Sequence, residues 1–159
     1  MTPDTDGIDH INIYTKGKTE LGRGLTNLSP YAFLHDGTMF HSMEAFWYYH
    51  KMKMLGFPYA HFHTMRGMEA KKAGGKIKNN LSPEQFEEFK IIMIEGMKCR
   101  LRQNPKLLKL LVDSDLPFKH YYGYGSTETG WKIVELERHN WQCELYEEIR
   151  AICKKAWGK

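Results

Sequence analysis

The stretch Asp36–Lys51, DGTMFHSMEAFWYYHK, decides how this chain is read. Asp36-Gly37 is a two-residue hairpin signal between short strands predicted at Tyr31–Leu34 and Thr38–Phe40, and the chain should leave it straight into a helix. His41 or Ser42 is the N-cap candidate, and Gly56 with Pro58 should end the helix near Leu55. Glu44, Trp47, Tyr48 and Lys51 fall at i, i+3, i+4 and i+7 and so look the same way. The Glu44 and Lys51 backbones are about 10.5 Å apart along the axis, and helical side chains lean toward the N-terminus, so the Lys51 arm reaches back over Tyr48. A carboxylate and an amine would meet there over an aromatic floor. An amphipathic helix with an acid in its first turn and one snorkelling lysine has the same spacing, so pattern alone does not define a catalytic pair.

At 159 residues the chain fits a single domain, 1–159, with the polar residues 1–9 expected to be flexible. It has no apolar run near the ~18 residues of a membrane span and no charged-then-apolar leader, so the expectation is a cytoplasmic protein with no membrane partner. Three cysteines, Cys99, Cys143 and Cys153, lack C-x-x-C spacing and read as reduced and packed. His50, His61 and His63 have no acidic partner at zinc-like spacing, and neither a metal nor a cofactor is expected. A net charge of +4 permits an anionic ligand or nucleic acid, but the lysines are dispersed and a solvated surface explains them equally. Nothing in the pattern fixes an oligomeric state.

Alternation around Ile11 and Ile13 predicts a first strand, expected to share a small sheet with the hairpin. Lys16–Asn27 reads as a loop whose Gly17, Gly22 and Gly24 alternate with Lys16, Lys18 and Arg23, a composition that can approach a phosphate or simply turn. A helix over Met65–Ala73 ends in Gly74-Gly75, and the Lys71-Lys72-Lys76-Lys78 cluster around it reads as a solvated helix end or an anion clamp. Ser82-Pro83-Glu84-Gln85 is a capping box with proline at the first helical position, followed by an apolar stripe of Phe86, Phe89, Met93, Met97 and Leu101. Asn104-Pro105 starts a further helix through Val112. Phe118–Gly130, with tyrosines alternating with Gly123 and Gly125, reads as a mobile loop able to stack on a planar group. A last helix should start with Asn140 as its N-cap, where a phosphate could also sit, and bury Trp141, Leu145, Ile149, Ile152 and Ala156. The fold class expected is α+β, mostly helical, with a small sheet or hairpin.

Gly37, Phe40, Ser42, Glu44 and Lys51, spaced as they are, resemble the core motif of the YbiA/NADAR family. The likeness continues upstream in Thr26-Asn27-Leu28 and Ser29-Pro30, and downstream in Ile92-Met93, Arg100–Leu111, Asn140 and Arg150. Three positions depart from the family pattern: Tyr48 stands where it has glutamine, Gln85-Phe86 where it has tryptophan, and Lys119-His120 where it has an acid. The resemblance implies an N-glycosidase that hydrolyses the C1–N bond of a ribosyl nucleotide, removing ADP-ribose from guanine in nucleic acid or nucleotide. Its partners would be ADP-ribosyl or phosphoribosyl glycosides, including ADP-ribosylated DNA or RNA. The alternatives are a glycosidase of phosphorylated riboflavin-pathway intermediates and a non-catalytic module that binds an ADP-ribose or NAD-like ligand or nucleic acid. Glu44 and Lys51 are the implied catalytic residues. Arg23, Asn27, Trp47, Tyr48, Tyr122, Tyr124 and Asn140 are the implied substrate contacts, with Arg23 at the phosphate end. Glu44 is expected to be ionised, with a nearby lysine opposing the effect of burial.

Overall fold

The hairpin and the helix after it form where the sequence places them. In a computed structural model, which describes residues 1–158, strands β2 (Phe33–His35) and β3 (Thr38–Phe40) pair antiparallel around Asp36 and Gly37. Both turn residues have positive φ, 46° and 77°, the backbone that matches a two-residue turn to strand twist. Helix α2 (Met43–Leu55) starts at Ser42, whose hydroxyl accepts from the Ala45 amide at 3.1 Å, and stops at Gly56 in the left-handed region, φ 80°.

The chain forms two compact units, Asn27–Pro105 and Met1–Thr26 with Lys106–Lys159. The first unit holds the β2–β3 hairpin, α2, α3 (Gly67–Gly75) and α4 (Pro83–Gln103). Ala45 and Met52 of α2, Phe62 of the 3-10 turn Ala60–Phe62 and Ala70 of α3 make its core, with Tyr48, Tyr49 and Met65 packed around them. Phe33, Phe40 and Phe46 stack at centroid distances of 4.9–5.8 Å beside it. Ser82 and Gln85 cap α4 reciprocally as the sequence predicts, and Phe89, Met93, Met97 and Leu101 are buried. Glycines set the helix spacing: a Cβ on Gly96 of α4 would lie 2.3 Å from the Phe46 ring, and one on Gly67 of α3 2.4 Å from the Leu28 carbonyl.

The second unit contains β1 (Ile11–Asn12), α1 (Glu20–Leu25), α5 (Pro105–Val112) from Lys106 on, β4 (Phe118–Lys119), β5 (Tyr121–Ser126), β6 (Gly130–Glu135) and α6 (Asn140–Ala156). Several expectations are corrected here. The first strand does not join the hairpin: β1 pairs in parallel with β4, Ile11 opposite Phe118, and the sheets are three separate two-stranded ones among the described residues. The glycine-rich Lys16–Asn27 segment is no open loop, because Thr19 caps α1 by accepting from the Gly22 amide at 2.9 Å. A Cβ on Gly22 would lie 2.3 Å from the Asn12 carbonyl, so that glycine serves close packing on β1. The tyrosine-glycine segment is likewise ordered, as the β5–β6 hairpin. On α6 the buried face runs through Cys143, Leu145, Tyr146, Ile149 and Arg150, whereas Ile152 is 61% exposed and Ala156 is exposed. The N-terminal residues are held in place: the Asp4 carboxylate accepts from Trp131 Nε1 at 3.0 Å and from Thr127, and Asp6 accepts from the Asn12 and Lys18 amides.

Candidate active site

Glu44 enters the first turn of α2 because Ser42 caps the helix two residues earlier, and the Glu44 amide donates to the Asn27 carbonyl at 2.8 Å. That bond brings the Asn27 segment to the head of the helix. The Asn27 side-chain oxygen is buried and accepts no hydrogen bond, and the Glu44 carboxyl has neither a hydrogen bond nor an ion pair among the described residues. Native interiors rarely leave a buried oxygen such as that of Asn27 unmatched, which makes it a candidate point for a ligand to supply the partner.

Glu44 is half-buried as a residue, but its carboxyl lies deep enough for burial to push its pKa up to about 7, with the positive charge of Lys71 pulling the other way. Burial therefore overrides the lysine, and the carboxyl is poised between acid and base near neutral pH rather than simply ionised. Tyr48, one turn on, has its phenol held above its ordinary value by burial and then by the Glu44 charge, so the two groups sense each other. The Lys51 ammonium lies 5.8 Å from the Tyr48 ring centroid. Burial lowers the Lys51 pKa, and the amine forms no ion pair with Glu44 or any other acid among the described residues. The aromatic floor under Lys51 is present as the helical spacing implied. The direct carboxylate–amine contact is not.

The Tyr48 ring is gripped from below. Phe62 stacks on it at 6.0 Å with an interplanar angle of 27°, and a Cβ on Gly74 of α3 would fall 2.1 Å from ring atom Cδ1. Trp47 turns its ring edge-on to Phe89 of α4 at 4.8 Å, which places it at the helix–helix contact. Sequence reasoning passed over Lys71 and Gly74, treating both as part of a helix end. The signal was available in their spacing, since Gly67, Lys71 and Gly74 at i, i+4 and i+7 share one face of α3.

The remaining candidates belong to the other unit. Arg23 is exposed on α1 and donates from Nη1 to the Gly17 carbonyl at 2.8 Å. Tyr122 is half-buried on β5 against Tyr14, centroids 5.2 Å apart, and Tyr124 is 57% exposed on the same strand. Asn140 is not the N-cap of α6 but its first residue, exposed, after a short 3-10 turn at Glu137–His139 that leaves His139 in the cap position. Arg150 is committed to structure: Nη1 donates to Ser114 Oγ at 2.9 Å and the Leu116 carbonyl at 2.8 Å, and the guanidinium lies over Phe118.

No family model matches the sequence. A human protein, the endogenous retrovirus group K member 5 Gag polyprotein, is 30% identical over 83 residues, or 52% of this chain. The chain spans only 11% of that polyprotein, so the match characterises a segment and not the whole. No helix among the described residues is long and apolar enough to cross a membrane. In three dimensions the chain is similar to the NMR structure of the E. coli protein YbiA, which it covers to 90% over 100% of its own length, with a TM-score of 0.66 and 15% identity. The mixed, mostly helical α+β architecture described above is thus the YbiA fold.

Proposed function

We propose that this protein is a member of the NADAR family and an N-glycosidase that cleaves the C1–N bond of a ribosyl nucleotide, with Glu44 and Lys51 as its catalytic residues. The observation that carries the reading is the Glu44 carboxyl, unpartnered and pushed up to about 7, on one helix face with a desolvated amine that no acid neutralises. Departure of a base from C1 leaves positive charge on the sugar and an electron pair on the base nitrogen. Protonated Glu44 can give that nitrogen its proton. Neutral Lys51 can then bond to C1; the bond from C1 to the ring oxygen breaks, an amine proton passes to that oxygen, and the opened sugar is held as an imine, which water hydrolyses to return the amine and leave the free base and the ribosyl nucleotide. Burial disfavours the charge of Lys51 and so works toward the neutral amine this step needs. Asn27, whose buried side-chain oxygen has no protein partner among the described residues, would accept from a sugar hydroxyl.

Within this reading the substrate is ADP-ribose attached to guanine, in nucleic acid or as a nucleotide. Incubation with an ADP-ribosylated guanine oligonucleotide and, separately, with free nucleotide glycosides, followed by mass spectrometry, should show base release from the guanine adduct. Release only from phosphorylated riboflavin-pathway glycosides would move the substrate class while keeping the chemistry. Binding without release from any of them would make the protein a ligand-holding module and overturn the enzymatic reading. Borohydride should trap a ribosyl adduct on Lys51, and Lys51→Arg, which keeps the charge but cannot form the imine, should be as inactive as Lys51→Ala.

A further inference from the structure

Two close contacts fix the register of α3 against α2. Gly67, the first residue of α3, packs on Leu28, the neighbour of the Asn27 whose carbonyl holds the Glu44 amide. Gly74, two turns later, packs on the ring of Tyr48, one turn beyond Glu44. Both contacts exclude even a methyl group, so neither leaves slack. Lys71 lies on the same face, i+4 from Gly67 and i−3 from Gly74. Ala70 beside it is fully buried in the shared core. Lys71 itself is exposed and forms no ion pair with a carboxylate among the described residues.

We propose that Lys71 is the counter-charge of the site: the glycine-seated α3 presents its ammonium to Glu44, and Lys51 is thereby left without a carboxylate partner. Two lysines then divide the work. A Lys51 paired with Glu44 would be locked as an ammonium and could not attack carbon, whereas a cation on a neighbouring helix stabilises the carboxylate without occupying the amine. The electrostatic influence of Lys71 on Glu44, and the absence of any from Lys51, agrees with this division. The other charged groups near α2 do not compete for the role. Lys53, Asp36, Glu95 and His35 act on His50, which points away from the Glu44 face, and α4 meets α2 through Phe89 and Gly96. Lys71 is a positioning residue, since it acts through Glu44. Its role in turnover rests on the glycosidase reading.

The test is a carboxyl carbon NMR titration of Glu44 in the full chain, the resonance assigned by its disappearance in Glu44→Gln. Lys71→Met should raise the Glu44 midpoint, because loss of a facing cation disfavours the carboxylate, and Lys71→Arg should restore it. Lys51→Met and Lys72→Met, the latter one residue along on a different face of α3, should leave it where it was. An unmoved midpoint in Lys71→Met, or an equal rise in Lys51→Met or Lys72→Met, would overturn the assignment. In the pH–rate profile the Glu44 limb should rise with the titration midpoint in Lys71→Met. If no substrate is turned over by the unaltered protein the glycosidase reading fails, while the titration still decides whether Lys71 faces Glu44.

Discussion

At the scale of single residues, burying the Glu44 carboxyl costs stability at neutral pH. Glu44 titrates near pH 7 in the folded chain and near its ordinary carboxylate value when unfolded, so the folded state holds the extra proton in between. Stability therefore falls as pH rises through that interval. Glu44→Gln removes the liability: its melting temperature should exceed that of the unaltered protein at pH 8 and show no such gain at pH 4, where Glu44 is protonated in both states. The same variant should lose roughly a hundredfold in rate while retaining ligand, as removal of a general acid–base group usually gives. A melting temperature raised equally at both pH values would mean that packing, not proton linkage, caused the gain. The position of Glu44 on its helix face was legible from spacing. Its protonation was not, since that depends on how deeply α3 and the Asn27 segment cover it, and residues 27 and 67–74 carry no local sign that they converge.

At the scale of elements, the helices were the legible part because their signals are local. Ser42, Gly56 and the Ser82–Gln85 box each name a boundary within one turn, and α2, α4 and α5 start and stop accordingly. Ser82→Ala should cost about 1 kcal/mol in chemical denaturation, with Gln85 losing its reciprocal bond. The strands were less legible. Two-residue β1 is too short for alternation to name a partner, and that partner is Phe118, far along the chain. Glycines within helices also mislead a reading by propensity. Alanine at Gly74 would favour an isolated helix by about 1 kcal/mol. In the folded chain its Cβ would meet the Tyr48 ring at 2.1 Å, so Gly74→Ala should destabilise the protein by about 1–3 kcal/mol in denaturant melts and disturb activity through Tyr48. A stabilised Gly74→Ala would show that α3 can retreat from α2 without penalty.

At the scale of the whole molecule, acid should destabilise the chain through its buried histidines. His50 in one unit and His139 in the other are each lowered to about 4, chiefly by burial, and His50 Nε2 is buried without a partner. Both bind a proton more readily when unfolded, so stability falls as pH drops from about 6.5 toward 4. Glu44 works in the opposite direction over much of that range, but two histidines outweigh one carboxyl. Urea midpoints of the whole chain should decline across this window, and His50→Gln should flatten the decline; an unchanged slope would exclude His50 as a source. The hydrogen-bonded pair of Tyr121 and His10, oxygen to Nε2 at 2.6 Å and both buried, has an optical consequence. Burial, and then the charges of Asp6 and Asp9, hold the Tyr121 phenol well above the ordinary tyrosine range. As alkali is added, Tyr121 will turn to phenolate only once its unit opens, so a late step in ultraviolet absorbance is a built-in marker of unfolding there.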